Sequence, residues 1–342
     1  MPATEIRRSI VSVQLLTRFA AGHGMTAKAC LLNAGIDEAA LVNPQTEILA
    51  AQELQVARNL VSSIGHIPGI GLDAGLQYHL SSYGIWGFAL LTSPNLRSAV
   101  AIATRYLDLS YAFVRFQPLQ AVGKSYRLHL DDRQIPDDVR QFLFERDLGA
   151  WANAMREMCP TYLPVTAAEF RFPRPSYAAR LRKLCGVEPR FNATDNAICI
   201  DPSHLDAPLP QSDSDMARLC LAQCRQLLEK RRVRAGIAGR VRDRLLQSPG
   251  DMPGIDQVSR DLHIASRSLR RRLEEEGTSF RALLDEIRQM LAEELLMLPG
   301  MKLDEIAARL GYSESASFIH AFKRWKGVPP NVFRGQHHPD TE

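Results

Sequence analysis

A row of arginines stands out in one short segment of this chain, with Arg267, Arg270, Arg271 and Arg272 falling within six residues. The planar guanidinium of arginine donates two hydrogen bonds at once to O6 and N7 of guanine. Each contact of this kind contributes roughly 1–3 kcal/mol of discrimination between bases. The spacing therefore favours base recognition in duplex DNA, provided that one helix presents the row on an exposed face.

The residues around this row predict two helices joined by a short turn. Val258 and Leu262 form the buried face of the first helix, and Leu269 and Leu273 form that of the second. Two helices joined in this way make a helix-turn-helix unit, whose second helix fits the ~12 Å major groove of B-DNA. The arginine row lies on that second helix.

A second helix-turn-helix unit follows the same plan further along the chain. Gly311 ends its first helix, as glycine does where a left-handed turn is needed, after an apolar face formed by Ile306, Ala307 and Leu310. Ser313 is predicted to cap the next helix, in which Phe318 and Phe322 are four residues apart and face inward. The positions expected to face outward are Ser315, Ala316, Ile319 and His320.

One long helix is predicted to connect the two units. Its apolar positions follow a 3.6-residue period and are Phe280, Leu283, Leu284, Ile287, Met290, Leu291, Leu295 and Leu298. Pro299 and Gly300 are predicted to end it. Nineteen residues at 1.5 Å each would span about 28 Å, which is close to the ~34 Å of one DNA turn. We therefore expect two recognition helices in successive major-groove segments.

Residues from about 235 to 335 resemble the DNA-binding domain of the AraC/XylS family of bacterial transcription regulators. The resemblance rests on the stretch from Ile306 to Pro329, Ile-Ala-Ala-Arg-Leu-Gly-Tyr-Ser-Glu-Ser-Ala-Ser-Phe-Ile-His-Ala-Phe-Lys-Arg-Trp-Lys-Gly-Val-Pro. It implies that the first recognition helix enters the groove with Ser266, Arg267, Arg270 and Arg271. It implies that the second does so with Ser315, Ala316, Ile319 and His320. Further along, Lys323 and Arg324 are expected to meet phosphates, which position a protein without specifying sequence.

Two residues depart from this family's pattern in the first turn. His263 stands where glycine is usual, and Ala265 stands where a capping serine is usual. The missing cap costs about 0.5–2 kcal/mol, unless Ser266 takes over and the helix starts one residue later. In the second helix, Ala316 and Ile319 cannot donate hydrogen bonds, so we expect the first unit to carry most of the hydrogen-bonded base recognition.

The amino-terminal two thirds of the chain predict an α+β domain. Helices are expected over most of residues 1–105 and at 136–158 and 177–185, with strands at 111–116, 125–130, 169–172, 190–191 and 197–200. The glycine-rich stretch 68–75 has no preceding strand and lacks the dinucleotide-binding spacing, so a loop and a helix start are predicted there. The overall fold class is α+β, with an all-α double helix-turn-helix domain at the carboxyl end.

This amino-terminal region resembles the effector or dimerisation domain of the AraC-family branch related to ornithine-utilisation regulators. The matching pieces are residues 84–94, 140–147, 171–175 and 205–210. The resemblance implies an α+β domain rather than the cupin barrel of the arabinose regulator. The expected domains are an effector-sensing and dimerisation domain at 1–205, a linker and helix at 206–234, and the DNA-binding domain at 235–335.

Charge placement agrees with a nucleic-acid partner for the carboxyl-terminal part. From Met216 onward the chain carries 22 Lys and Arg against 17 Asp and Glu, although the whole chain has a net charge of only +4. No run of 18 apolar residues and no signal peptide is present, and six cysteines are scattered along the chain. A cytoplasmic protein with reduced thiols is expected. A redox role for Cys220 and Cys224 is the minor alternative.

The leading hypothesis is a sequence-specific transcription regulator, an activator rather than a repressor, that binds promoter DNA and RNA polymerase and forms a homodimer. A small-molecule effector would bind near Tyr83, Trp86 and Tyr106, where aromatic and polar residues cluster. No catalytic site, metal site or cofactor is expected. The alternatives are control by abundance or by a protein partner, an enzymatic amino-terminal domain, and a non-specific nucleoid protein.

Overall fold

The computed structural model describes residues 6–123, 125–234, 236–246, 252–298 and 301–337. The chain divides into two compact units, Met1–Arg231 and Arg232–Glu342, called unit 1 and unit 2 below. Unit 1 combines helices with antiparallel sheet, whereas the described residues of unit 2 form helices only. The predicted α+β class is confirmed. The predicted helix stop at Pro299 and Gly300 lies outside the described residues.

Most of unit 1 is helical. Its helices are α1 (Val11–Ala21), α2 (Ala27–Cys30), α3 (Ala50–Ile64), α4 (Ile70–Gly75), α5 (Ile85–Leu91), α6 (Leu96–Arg105), α7 (Asp137–Met158), α8 (Ala178–Cys185) and α9 (Ser214–Arg234), the last of which runs past the unit boundary. Among the residues described, no helix is long and apolar enough to cross a membrane.

Two antiparallel sheets complete unit 1. A small ribbon pairs β1 (Arg7–Ser9) with β2 (Glu47–Leu49). The larger sheet contains β3 (Arg115–Phe116), β4 (Gln120–Val122), β5 (Ser125–Asp131), β6 (Val165–Glu169) and β7 (Ala197–Ile200). Its order is β3-β5-β7-β6, with β4 also pairing with β5, and Leu128 lies opposite Ile198 in the central pair.

Three strand predictions need correction. The predicted strand 190–191 is only an isolated bridge between Arg190 and Glu169, and in the other two a side chain takes the place of a ladder partner. The predicted strand 111–116 shrinks to Arg115–Phe116, since Phe113 and Val114 donate their backbone N–H groups to the Asp147 carboxylate at 2.7 and 2.8 Å. The predicted strand 169–172 lies earlier, at Val165–Glu169, because the N–H of Arg171 donates to the side-chain oxygen of Asn196 at 2.8 Å.

The glycine-rich stretch 68–75 brings two helices into close contact. A β-carbon on Gly75 would lie 2.1 Å from the backbone oxygen of Arg146, and one on Gly71 would lie 2.6 Å from that of Phe142. No side chain fits at such distances, so glycine is required where α4 crosses α7. These glycines therefore serve packing, in agreement with the prediction of a loop and helix start.

A buried cluster of charges lies where α3, α7 and β1 meet. Arg146 donates to Glu53 at 2.7 Å and to Asp147 at 2.7 Å, and Arg8 donates to Glu53 at 3.1 Å. All four residues are at most 4% exposed. Burial raises the pKa of Asp147, and the Arg146 guanidinium opposes that rise. Removing one member would strand its partner's charge, which costs about 3–5 kcal/mol.

The segment between the large sheet and α9 packs onto unit 1. Leu205 and Leu209 are buried, and Arg97 in α6 holds Asp206 through two hydrogen bonds of 2.7 and 2.8 Å. Cys220 and Cys224 then bury one face of α9 in the same core. The part of the predicted linker and helix up to Arg231 thus belongs to the same compact unit as the amino-terminal domain.

Unit 2 is built around one central helix. Its helices are α10 (Gly236–Leu246), α11 (Ile255–Asp261), α12 (Ser266–Glu275), α13 (Phe280–Leu296), α14 (Leu303–Arg309), α15 (Ser315–Lys326) and α16 (Pro330–His337). One hydrophobic core joins α10, α11 and α12 to the first half of α13, and a second joins α14 and α15 to its second half. Leu291 packs against both cores.

The central helix is shorter than predicted, and two residues predicted on its inward face, Met290 within it and Leu298 beyond its end, are exposed. Helix α13 has 17 residues, which correspond to about 25 Å at 1.5 Å per residue. Met290 and Leu298 are 40% and 47% exposed, whereas Ala292 and Leu296 are fully buried. The buried face changes along α13 because each half packs against a different core.

Candidate functional site

The first helix-turn-helix unit exposes the arginine row. Leu269 and Leu273 are fully buried and anchor α12 against α10, α11 and α13. The exposed side chains of this helix include those of Arg267, Arg270 and Arg271, opposite the buried face, and of Arg272 at its flank. One helix therefore presents several cationic donors to the solvent, the arrangement that recognition of base edges requires.

The members of this row differ in their local partners. Arg271 forms an ion pair with Glu275 one turn away, with 2.9 Å between Nη1 and Oε1. Both side chains are more than half exposed, so this pair contributes little stability. Arg267 and Arg270 form no hydrogen bond or ion pair with any residue that the structure describes. The Ser266 hydroxyl donates to Asp256 in α11 at 2.6 Å.

The first turn departs from the usual pattern as the sequence indicates. His263 has φ +56°, in the left-handed region where glycine is favoured. Ala265 occupies the N-cap position of α12, and no side chain caps the helix there. Ser266 does not take over this role, because α12 already begins at Ser266 and its hydroxyl is engaged by Asp256. Helix α12 therefore has no side-chain cap, as the alanine at position 265 led us to expect.

The second unit presents a less polar surface on α15. Phe318 and Phe322 are fully buried, as predicted from their spacing. Ala316, His320, Lys323 and Arg324 are exposed, and Ser315 and Ile319 are half-buried. Ser317 is also exposed, a position that the sequence analysis missed although it lies one turn before His320.

The prediction that Ser313 caps α15 is wrong. Glu314 occupies the N-cap position, and no side-chain hydrogen bond closes this end of the helix. Gly311 takes φ +73° in the preceding turn, as the sequence indicates. Both recognition helices therefore begin without a side-chain cap, and the positive end of a helix dipole favours nearby anions such as phosphates.

Side chains of α13 hold the second turn in place. Arg288 donates to the backbone oxygens of Leu310 at 2.8 Å and of Gly311 at 3.3 Å, and its guanidinium lies 4.5 Å from the centre of the Tyr312 ring. Burial raises the pKa of the Tyr312 hydroxyl. The turn that sets the start of α15 is thus attached directly to the central helix.

Ion pairs attach α15 itself to the same helix. Lys326 lies 2.8 Å from Glu293, and Arg324 lies 3.5 Å from Asp285. Arg324 remains 60% exposed, so its guanidinium can still reach a phosphate. Lys326 is less exposed and holds the carboxyl end of α15 against α13, a role that the sequence analysis did not identify.

Carboxylates fix the remaining helices of the first unit. Glu276, directly after α12, accepts the backbone N–H groups of Ile237 and Ala238 at 2.8 and 2.9 Å and so caps α10. Asp261 accepts from Arg244 at 2.6 Å, a hydrogen bond that lowers the pKa of Asp261. These contacts link α10 to α11 and α12 and set the direction in which the arginine row points.

The aromatic residues singled out in unit 1 are only partly brought together. Tyr83 and Trp86 lie with ring centres 5.1 Å apart and both line an apolar cavity of about 80 Å³ beneath α5 and α6. Tyr106 is buried in the main core and lines neither this cavity nor its neighbouring groove. The grouping of Tyr106 with the other two is corrected, because Tyr106 directly follows α6 and its side chain is buried in the main core.

Two domain families match different parts of the chain. The family described as the arabinose-binding domain of AraC transcription regulators, amino-terminal, matches residues 24–209, and a helix-turn-helix domain matches residues 258–336. The chain is 34% identical over 340 residues to the uncharacterized HTH-type transcriptional regulator Rv1395 of Mycobacterium tuberculosis, covering 97% of each chain. It is 32% identical over 282 residues to the ornithine utilization regulator of Pseudomonas aeruginosa, covering 78% of each.

A solved structure can also be aligned over almost the whole chain. The transcriptional regulator CdpR from Pseudomonas aeruginosa aligns with a TM-score of 0.48 and 22% sequence identity. The alignment covers 95% of the present chain and 98% of that chain.

Proposed function

The chain belongs to the AraC family of DNA-binding transcription regulators, and we propose that α12 is its principal base-reading element, with α15 as the second. The observation that carries this assignment is the exposed arginine row on α12, in which Arg267 and Arg270 have no intramolecular partner among the described residues. Guanidinium groups held in this way are available for two-donor contacts with guanine.

The remaining contacts follow from side-chain chemistry. Arg271 exchanges its ion pair with Glu275 for a base or phosphate, and the Ser266 hydroxyl offers an acceptor while it donates to Asp256. On α15, Ala316 and Ile319 suit the methyl group of thymine, and Ser315 and His320 are assigned to hydrogen bonds with bases. Lys323 and Arg324 are assigned to phosphates, which fix the register of the protein on DNA.

We propose further that the protein is a cytoplasmic homodimer that acts as an activator through RNA polymerase. Dimerisation is supported by the exposed apolar side chains of Met216 and Leu219 on α9, which are 44% and 52% exposed. Exposed apolar side chains in one helical stripe favour association, because apolar area is removed from water. A small-molecule effector is assigned to unit 1.

Selection of bound duplexes from a random-sequence library tests the DNA-binding proposal directly. With the full chain, we expect an enriched site of two short boxes with centres roughly 10–10.5 base pairs apart, the spacing of successive major-groove segments. The box contacted by α12 should be the more strongly specified and should contain guanine. Enrichment of a single box, or of no sequence at all, would contradict two-helix recognition.

A further inference from the structure

A groove of about 670 Å³ opens on the surface of unit 1. One wall is the β1–β2 ribbon with Ser9 and Glu47, another is the turn from Ser81 to Trp86, and the third is the last part of α9. The α9 residues on it are Gln223, Gln226, Leu227, Lys230 and Arg231. A space of this size suits a small organic molecule.

The groove and the apolar cavity share one wall. Tyr83 and Trp86 line both spaces. Behind them the cavity is bounded mainly by hydrocarbon and aromatic side chains, among which are Leu90, Val100, Trp151 and Met155. Asp147 also lines it, and its carboxylate is already held by Arg146. The two rings are in contact and separate a polar surface from an apolar interior, so a ligand that displaces one ring would meet both environments.

Hydrogen-bond donors without acceptors mark this shared wall. Trp86 is only 7% exposed, and its indole N–H is buried without a partner. The Tyr83 hydroxyl also forms no hydrogen bond with the residues that the structure describes, and burial raises its pKa, so it remains protonated and can donate. A buried donor without an acceptor costs about 1–3 kcal/mol. A ligand that supplies acceptor atoms here would recover that cost.

The charge of the groove favours an anion. Lys230 and Arg231 contribute two cations, and Arg231 donates to the backbone oxygen of Asp108 at 2.6 Å, which holds its guanidinium at the groove. Glu47 is the one carboxylate among the described residues that line the groove, and it is already engaged in an interaction of its own. Two cations thus line the groove together with one carboxylate that already has a partner.

We propose that the groove and cavity together bind a small organic carboxylate with an apolar tail. The tail occupies the cavity behind Tyr83 and Trp86, and the carboxylate accepts hydrogen bonds from Lys230, Arg231 and the two aromatic donors. Arg231 is the last residue of unit 1, so a bound carboxylate contacts the turn of α9 from which the chain enters the DNA-binding unit. The ligand's role as effector rests on the DNA-binding function proposed above.

A matched ligand series on the full chain tests this assignment. Linear carboxylates of three to eight carbons and phenyl-substituted carboxylates are compared with the corresponding amides, with melting temperature and tryptophan fluorescence as readouts. We expect carboxylates to raise the melting temperature and change the fluorescence, with affinity rising with tail length until the cavity is full. The amides should bind about tenfold more weakly or worse, because one charge-assisted contact accounts for roughly that ratio.

Two variants locate the ligand. Lys230→Gln should weaken carboxylate binding about tenfold. Trp86→Phe should reduce the fluorescence change, with Trp151 in the cavity wall giving what remains. Lys183→Gln, at an exposed lysine of α8 away from the groove, serves as the control and should bind like the parent chain. The proposal is overturned if no carboxylate binds, if amides bind equally well, or if Lys183→Gln and Lys230→Gln behave alike.

Operator affinity measured with and without the bound carboxylate separates the two proposals. An effector changes that affinity, and binding without any change would overturn the effector role. If no carboxylate binds but the protein still binds DNA specifically, the ligand proposal is wrong and the regulator function stands. Failure of specific DNA binding under all conditions would contradict the function itself.

Discussion

His263 and Gly311 occupy the same position in the two turns of unit 2, each being the second residue after a short helix. Their φ angles are +56° and +73°. In each turn the following residue donates its N–H to the carbonyl oxygen five positions earlier, at 3.0 and 2.9 Å. One backbone geometry is therefore made once with glycine and once with a residue that has a β-carbon.

This equivalence predicts opposite effects for two substitutions. His263→Gly should stabilise unit 2 by about 0.5–1 kcal/mol. The strain of a residue with a β-carbon in the left-handed region costs more than the larger conformational entropy that glycine loses on folding. Gly311→Ala should destabilise it by about 1–2 kcal/mol, because the new β-carbon would also lie 3.2 Å from Cβ of Met252. Calorimetric melting measures both. A less stable His263→Gly would mean that the imidazole forms stabilising contacts.

Arg270→Ala tests direct base recognition by α12. We expect a loss of about 1–3 kcal/mol at the selected operator and relaxed base preference at one position. Arg272→Ala, an exposed arginine of the same helix outside the proposed reading set, is the matched control and should change affinity without changing base preference. Fluorescence anisotropy on the operator and its single-base variants gives both quantities. Equal weakening on every sequence by Arg270→Ala would exclude a base contact.

Gly75→Ala tests the close contact between α4 and α7. The added carbon would lie 2.1 Å from the Arg146 backbone oxygen, so the helices must separate, and we expect unit 1 to lose about 3 kcal/mol or more. Gly22→Ala is the control, because its β-carbon would lie 3.3 Å from the nearest atom, with φ −62°. Urea unfolding should show little change for that variant. Similar losses in both variants would argue against the tight crossing.

Thiol labelling decides between structural and redox roles for the cysteines. Burial raises the pKa of Cys185 to about 12 and that of Cys224 to about 11, and it also raises the pKa of Cys220. The thiolate is the reactive form, so these residues should resist alkylation at neutral pH until the protein unfolds. Half-buried Cys199 should react first, as mass spectrometry of timed samples would show. A Cys220–Cys224 disulfide after mild oxidation would favour a switch instead.

The helix-turn-helix units could be predicted because local spacing determines them. Apolar residues recur at helical intervals within each helix, and one from each of the four helices, Val258, Leu269, Ile306 and Phe318, is fully buried. Glycine marks the second turn. The exposed face of each recognition helix follows from the same periodicity. The helix boundaries that were predicted wrongly, such as the cap assigned to Ser313, depend on which of several neighbouring polar residues caps the helix. The capping free energies of such residues differ by about 1 kcal/mol or less.

Features that depend on long-range contacts could not be predicted in this way. Charged residues are almost always exposed, so Arg146 and Asp147 gave no sign of being buried, although Asp147 replaces a ladder partner for Phe113. The partner of Arg146 is Glu53, which is 93 positions away in sequence. Likewise, the separation of Tyr106 from Tyr83 depends on where α6 ends against the core.

The single central helix α13 ties the distance between the two DNA-reading units to their rotation. Because an α-helix turns about 100° and rises 1.5 Å per residue, one inserted residue would move the second unit only slightly but swing it to another side of the helix axis. Four inserted residues would add about 6 Å with a twist of only about 40°. Insertions in α13 can therefore change the spacing between the two boxes of an operator only in steps of about one turn of this helix. Base preference in either box can change with a single side chain.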